Sequence, residues 1–278
     1  MILQKKEYKI LTIFLNVILW SLAVLMLFPL IWMVSTSLKL PEEVLSWPPR
    51  IFPKNLVFSN YAYLFEDTQI VRFIINSFCL SALSTLAILY TASLSGFVFA
   101  KYKFRGKNLI FIAIIATMMI PFETFMIPLY LYILKLGWID TYQGILMPWV
   151  IMSFGVFLMR QTIESLPNDL MDAARIDGCS EWGIYWRIVL PIFSPALSSL
   201  AIFAFMTAWG QFLWPLMITN SVDKFVVELG ISMFQQRYTV EYGLMTAAAS
   251  VTTIPMIIVF IFLRRHLIEG ITLSGLKY

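Results

Sequence analysis

Long runs of apolar residues separated by short polar stretches dominate the hydrophobic pattern of the chain. A helix needs about 20 apolar residues to cross a bilayer, and six runs with at most one charge each fit that length. The predicted spans are about 10–37, 70–100, 108–134, 141–160, 192–220 and 243–264. Barrel strands would instead alternate apolar and polar positions over roughly ten residues. The pattern therefore predicts an all-α fold, a polytopic membrane bundle of six transmembrane helices forming one domain over residues 1–278.

The distribution of basic residues predicts the orientation of these spans. Thirteen of the 20 lysines and arginines fall on the side that holds both termini, and the turn KYKFRGK (101–107) is the strongest signal. Cytoplasmic loops of membrane proteins carry such an excess. Both termini and the loop 161–191 are therefore expected in the cytoplasm. The net charge of +4 is interpreted as this topology signal, since no basic patch with interleaved aromatics indicates a nucleic-acid partner.

Few side chains in this sequence could support catalysis or bind a metal. The chain has one histidine, His266, and two cysteines, Cys79 and Cys179, which fall in a span and in a cytoplasmic loop. That separation argues against a disulfide, and no His/Cys cluster suits zinc. No phosphate-binding loop is present. We expect no catalytic residue, no metal site and no cofactor in this chain.

The loop 161–191, called the acidic loop below, breaks the apolar pattern with DAARIDGCSEWGIYWRIVLP (172–191). Its local signals predict two short helices. Asn168 is the expected N-cap of the first helix, Gly178 its left-handed end, and Ser180 the cap of the second. Asp172 lies three residues before Arg175, a spacing that allows an ion pair on one helix face.

The first predicted helix carries small and apolar residues beside its charges. Ala173 and Ala174 would let another backbone approach closely, and Leu170, Met171 and Ile176 would supply apolar contacts. This composition suits docking to another protein. It equally suits an amphipathic helix that lies on the membrane surface, and the residue types do not decide between the two.

The spacing within this loop resembles a family signature. Permease subunits of ATP-binding-cassette importers carry E-A-A, three residues, Gly, nine residues and I-x-L-P. Here Asp172-Ala173-Ala174, then Gly178, and Ile188-Val189-Leu190-Pro191 keep that spacing, with Asp in place of the first Glu. Further stretches resemble the carbohydrate-uptake, maltose-type branch of this family: 95–106, 119–148, 212–219 and 264–278.

The resemblance implies a division of labour in the bacterial inner membrane. The expected partners are a second permease subunit, two cytoplasmic ATPases that bind ATP and Mg, an extracytoplasmic solute-binding protein and membrane lipid. The acidic loop would then be the coupling helix that contacts an ATPase, through the residues Leu170, Met171, Asp172, Ala173, Ala174, Arg175, Ile176, Asp177 and Gly178. The rival hypothesis is a secondary transporter of a small polar solute, but only Glu123 is an acid clearly within a span.

Polar residues inside the spans are the candidates for the solute path. They are Asn76, Glu123, Thr207, Trp209, Gln211 and Ser250. An aromatic face beside an amide or hydroxyl, as at Trp209 and Gln211, suits a sugar ring. The alternatives are helix packing for the hydroxyl residues and an interfacial position for Glu123, which follows Pro121.

Two polar segments are expected on the outer side. The segment 39–69 holds four prolines among mixed charges and is expected to be extended and irregular. The segment 221–243 has too many charges for a span, and its apolar residues are expected to pack back toward the mouth of the bundle.

Overall fold

Helices form all of the regular secondary structure in the part of the chain that the structure describes. In this computed structural model, that part comprises residues 2–236 and 242–275, with side chains described for residues 9, 11–234 and 242–263. No strand occurs among these residues, which confirms the predicted all-α class. All of the tail 264–278 and part of the segment 221–243 lie outside the described side chains.

The order of helices follows the apolar runs but divides several of them. The α-helices are α1 (Ile2–Ser37), α2 (Pro41–Val44), α3 (Ser59–Glu66), α4 (Ile70–Lys101), α5 (Lys107–Ala116), α6 (Phe122–Lys135), α7 (Tyr142–Leu146), α8 (Ser153–Glu164), α9 (Asn168–Ile176), α10 (Glu181–Ile184), α11 (Leu190–Ile192), α12 (Ser194–Trp209), α13 (Leu213–Ile218), α14 (Val227–Gln236) and α15 (Tyr242–Gly275). Short 3₁₀ helices occupy Thr117–Met119, Met147–Trp149 and Val222–Lys224, and a π-helix joins α10 to α11 over Tyr185–Val189.

Three helices of the described chain are each long and apolar enough to cross a membrane. They contain the stretches Leu11–Ser37, Ile70–Lys101 and Tyr242–Leu263. Three further candidates are pairs of helices with a sharp bend between them: Lys107–Met119 with Phe122–Lys135 at 101°, Tyr142–Trp149 with Ser153–Glu164 at 44°, and Glu181–Ile192 with Ser194–Trp209 at 79°. Length and composition therefore allow three to six spans. The run 192–220 in particular is not one helix, because Gly210 is the C-cap of α12 and a separate helix, α13, follows it.

Polar side chains of α4 satisfy backbone groups exposed by one of these breaks. Between α7 and α8 the Ser84 hydroxyl donates to the carbonyl of Trp149, and the Thr91 hydroxyl donates to that of Val150 at 3.2 Å. An unpaired carbonyl in an apolar environment costs several kcal/mol. The hydroxyls of α4 therefore make the interruption tolerable.

The described chain separates into two compact units, Met1–Ile70 with Ile231–Thr253, and Val71–Gly230 with Ile254–Tyr278. In the first unit the Ser37 hydroxyl bonds to that of Tyr61 at 2.7 Å, and the Asn60 amide donates to the Ser37 carbonyl at 2.9 Å. The prediction that 39–69 is irregular is wrong over Pro41–Val44, which forms α2, and over Ser59–Glu66, which forms α3. Complete burial of Leu64 stabilises α3, and the sequence signal from the surrounding prolines could not show that burial.

The core of the second unit brings α4 and α8 into close contact. A Cβ at Gly96 would lie 2.6 Å from the Met159 Cβ and 2.8 Å from the Arg160 nitrogen, so only glycine fits there. Met159 and Ile163 are fully buried in the same cluster as Phe97. The end of α4 and the start of the acidic loop are thereby packed on each other.

The segment 220–227, called the capping segment, packs on α4 in the same unit. The Asn76 amide donates to the carbonyls of Asp223 and Phe225 at 2.9 and 3.0 Å, and the Ser77 hydroxyl accepts from the Val227 N–H at 2.8 Å. For these residues, the expectation that the segment packs back on the helices is confirmed. Residues 237–241 lie outside the described part.

Asp140 fixes the first residues of the capping segment through a set of hydrogen bonds. Its carboxylate accepts from the hydroxyl and N–H of Ser221, from the Asn220 N–H at 3.0 Å and from Lys224 Nζ at 2.9 Å. The Ser221 hydroxyl and N–H, followed by Lys224, hold the pKa of the Asp140 carboxyl well below its usual range.

This depressed pKa predicts a pH-dependent contribution to stability. A carboxyl whose folded pKa lies below its unfolded value of about 3.9 stabilises the fold above that pH and loses the contribution as the pH falls toward the folded pKa. We expect Asp140→Asn to lower the thermal midpoint of the purified chain at pH 7, and the deficit to shrink below about pH 4. The exposed Asp67, changed to Asn, is the matched control. A deficit that stays constant from pH 7 to pH 3 contradicts the assignment.

Candidate functional site

The acidic loop folds as two helices joined by a tight turn, as predicted. α9 ends before Gly178, whose φ of 82° lies in the left-handed region, and the Cys179 N–H donates to the Ala174 carbonyl at 2.9 Å. The Ser180 hydroxyl caps α10 by accepting from the Gly183 N–H at 3.2 Å. Both of these cap predictions are confirmed.

The prediction of Asn168 as the N-cap of α9 is wrong by one residue. Pro167 occupies the cap position with φ −59° and ψ 133° and makes no side-chain cap bond, and Asn168 is the first helical residue. The fixed φ of proline already provides a helix entry, so no side-chain cap is required. The Asn168 amide oxygen instead lies 3.5 Å from Lys101 Nζ.

The two faces of α9 have different surroundings. Met171 and Ala174 are 2% and 7% exposed and pack into the core that contains Phe97 and Tyr185. Ile176 is 86% exposed and Leu170 47%. Met171 and Ala174 therefore anchor the helix to its own chain, whereas Leu170 and Ile176 are free to meet another surface. The small side chain of Ala174 allows the close approach of α9 to its own core.

Arg175 holds α9 and α10 together across the turn. Its guanidinium bonds to Asp172 at 2.7 Å, which confirms the predicted pair, and to both carboxylate oxygens of Glu181 at 2.8 and 3.3 Å. These acids, Glu181 first, raise the pKa of the Arg175 guanidinium above its already high value. Exposed ion pairs of this kind contribute little to stability because water screens them. The bonds of Arg175 to Asp172 and Glu181 therefore align α9 with α10, but they do not by themselves fix the two helices to the rest of the chain.

Two residues at the end of α4 connect the acidic loop to that helix. Lys101 Nζ donates to the carbonyls of Glu164, at 3.1 Å, and Leu166. The Tyr102 hydroxyl donates to the Glu181 carboxylate. Neither residue stands out in the sequence as a functional candidate, because the stretch 101–107 is interpreted there as a topology signal and spacing cannot reveal contacts across more than 60 residues.

A small cavity in the second unit lies between polar side chains of several helices. Its volume is about 20 Å³, room for about one water molecule, and it is lined by Ser77, Leu80, Ser84, Ile145, Leu146, Trp149, Ala208, Gln211, Pro215 and Val226. The indole N–H of Trp149 is buried without a hydrogen-bond partner. Of the six predicted path residues, Gln211 alone lines this cavity. Ser77, Ser84 and Trp149 also line this cavity but were not among the six candidates, since hydroxyls in a span are equally expected as packing residues.

The other predicted path residues are spread over the described chain. Asn76 bonds to the capping segment, Thr207 to the Phe203 carbonyl of its own helix at 2.8 Å, and Ser250 to the Thr246 carbonyl at 2.7 Å. Trp209 is 2% exposed and stacks on Phe205 with ring centroids 5.7 Å apart. Glu123 lies exposed in the first turn of α6, directly after the Pro121 bend. No hydrogen bond or ring contact described for these five residues joins one of them to another.

Residues 92–272 match the family model described as the inner membrane component of binding-protein-dependent transport systems. The arabinooligosaccharides transport system permease protein AraQ of Bacillus subtilis is 34% identical over 280 residues, with all of both chains covered. The trehalose/maltose permease protein MalG of Thermococcus litoralis is 30% identical over 92% of this chain and 93% of that one.

The fold also matches a solved transporter structure. A crystal structure of a bacterial ABC transporter involved in the import of the acidic polysaccharide alginate contains a chain that superposes with a TM-score of 0.79. The superposition covers 93% of this chain and 97% of the other, at 23% identity. At that identity the match establishes a common fold.

Proposed function

The chain belongs to the family of inner membrane components of binding-protein-dependent transport systems, and on that premise we propose that it forms half of the path of an ATP-driven sugar importer. Its full-length relatives carry names that specify arabinooligosaccharides and trehalose or maltose. These names favour an oligosaccharide or a related polyhydroxylated solute as the cargo. As a permease subunit the chain contributes transport and not catalysis, and ATP and Mg bind to separate ATPase subunits.

The observation that carries the coupling part of this proposal is that α9 has one buried face and one exposed face. One face is fixed in the chain's own core through Met171 and Ala174, while Ile176 and Leu170 project outward. When a partner displaces a helix held in this way, the core to which the helix is fixed must move with it. The displacement can therefore reach the rest of the helix bundle. We assign α9 as the coupling helix that docks on a cytoplasmic ATPase.

The charge of the acidic loop suggests the chemistry of the partner surface. Residues 160–187 carry five acids against three arginines, and Asp169 and Asp177 are exposed. Interfaces favour complementary charge. The ATPase groove is therefore expected to offer basic residues. The other proposed partners are a second permease subunit, which supplies the other half of the path, and an extracytoplasmic solute-binding protein.

The proposed sidedness can be tested with the native Cys179, which lies in the turn after α9 and is partly exposed. In a Cys79→Ser background, a membrane-impermeant maleimide should label Cys179 in inside-out vesicles and not in intact cells with their outer barrier permeabilised. A Leu56→Cys variant in the segment 39–69, with Cys179 also replaced by Ser, should show the opposite pattern. Labelling of Cys179 from the outer face of intact cells would contradict the cytoplasmic placement of the loop.

The docking role of α9 can be tested at Ile176. Burial of an isoleucine side chain contributes about 1.5–3 kcal/mol, so Ile176→Ser should weaken association with the ATPase roughly 10- to 100-fold, measured by co-purification at graded ATPase concentration. The matched control is Ile51→Ser, an exposed isoleucine in the segment 39–69, which should leave the association unchanged. Equal association of both variants would exclude Ile176 from the interface.

The cavity at Gln211 can be tested by sugar uptake. Loss of one hydrogen bond to a sugar hydroxyl costs about 0.5–1.5 kcal/mol. Gln211→Met, which keeps the side-chain shape, should therefore raise the concentration for half-maximal arabinotriose uptake roughly two- to tenfold. Gln143→Met, on the exposed surface of α7, is the control. An uptake curve for Gln211→Met identical to that of the native chain would remove Gln211 from the path.

A further inference from the structure

The last residue of α4, Lys101, and the residue that follows it, Tyr102, hold the two flanks of α9. Lys101 donates to the carbonyls of Glu164 and Leu166, which precede α9, and Tyr102 donates to the Glu181 carboxylate, which follows it. Both ends of α9 are therefore connected to one point of α4. This arrangement connects the loop to a long element of the fold, because α4 is an uninterrupted helix that begins at Ile70.

The connection after α9 is a chain of three side chains. Tyr102 bonds to one oxygen of the Glu181 carboxylate, and Arg175 bonds to both oxygens from the last turn of α9. Burial, followed by the bond to Glu181, raises the pKa of Tyr102 to about 12. The phenol therefore stays protonated near neutral pH and always donates. Hydrogen bonds from a neutral donor to a carboxylate are stronger than those between neutral groups.

The turn between α9 and α10 packs against the core through Cys179 but is open at Gly178. Gly178 has no atom within 4 Å of the position where a Cβ would lie, so no packing holds the turn at that point. The Tyr102 ring is itself fixed edge-on against Phe97, with centroids 5.4 Å apart and planes at 88°. Tyr102 thus contacts the packed core through its ring and the start of α10 through its hydroxyl.

We propose that Tyr102 is a positioning residue, which fixes the direction in which α9 presents Ile176 by holding Glu181 and, through it, Arg175. α9 and the end of α4 then move as one body. The consequence for transport rests on the proposed coupling function. The positioning itself is a property of the chain that can be measured separately.

Tyr102→Phe is the decisive variant because it removes one hydroxyl and keeps the ring on Phe97. Tyr132→Phe is the matched control, since Tyr132 is 52% exposed on α6 and lies outside this group of contacts. The first measurement is amide hydrogen exchange over 168–178 in the purified full chain. Exchange should accelerate severalfold in Tyr102→Phe and not in Tyr132→Phe. Unchanged exchange in Tyr102→Phe overturns the proposal.

The second measurement is the number of arabinotriose molecules transported per ATP hydrolysed by the reconstituted importer. This ratio should fall roughly fivefold or more in Tyr102→Phe, the lower end of typical coupling between sites, while hydrolysis continues. Adding Tyr102→Phe to Glu181→Ala should cause no further loss, because Glu181→Ala already removes the acceptor of the Tyr102 hydroxyl. Equal losses of stability, hydrolysis and transport would indicate a merely structural bond and overturn the proposal.

The two measurements separate this proposal from the function on which its consequence rests. If the native complex neither transports arabinotriose or maltose nor couples them to ATP hydrolysis, the proposed function fails. The exchange rates of the two tyrosine variants still decide whether Tyr102 positions α9.

Discussion

The need to satisfy backbone hydrogen bonds in an apolar environment governs the second unit, and α4 is the element that meets it. An uninterrupted helix satisfies its own carbonyls through its backbone, so some of its polar side chains can also bond to neighbouring segments. Ser84 and Thr91 bond to the carbonyls at the break between α7 and α8. Asn76 does the same for the capping segment, and Lys101 for the start of the acidic loop. Interrupted helices can exist here because one continuous helix runs beside them.

This arrangement gives α4 a mechanical role as well as a structural one. At one end it holds the capping segment, and at the other it holds the acidic loop through Lys101 and Tyr102. The close approach at Gly96 also packs it against α8. The capping segment and the acidic loop are therefore both bonded to the same helix or to the residue that follows it.

The acidic loop shows how weak interactions combine into a defined position. Its ion pairs are exposed and individually contribute little, and its turn at Gly178 has no side-chain packing. What holds α9 is the burial of Met171 and Ala174 together with bonds at both of its ends. Buried apolar area provides the energy, and the polar contacts select one orientation. The outward face, with Ile176 and Leu170, remains available for a partner.

The sequence by itself determined the helical class, the apolar runs, the turn at Gly178, the cap at Ser180 and the Asp172–Arg175 pair, because each of these depends on residues close together in the chain. Only the tertiary structure decided where the runs bend, that 59–66 is helical, and which side of α9 is buried. It also brought Tyr102 to Glu181 and Gln211 to the cavity beside Ser77 and Ser84, while it buried Trp209. These outcomes depend on packing between residues distant in sequence, where polar residues in a span look alike whether they cap a neighbouring helix, pack against it or line a cavity.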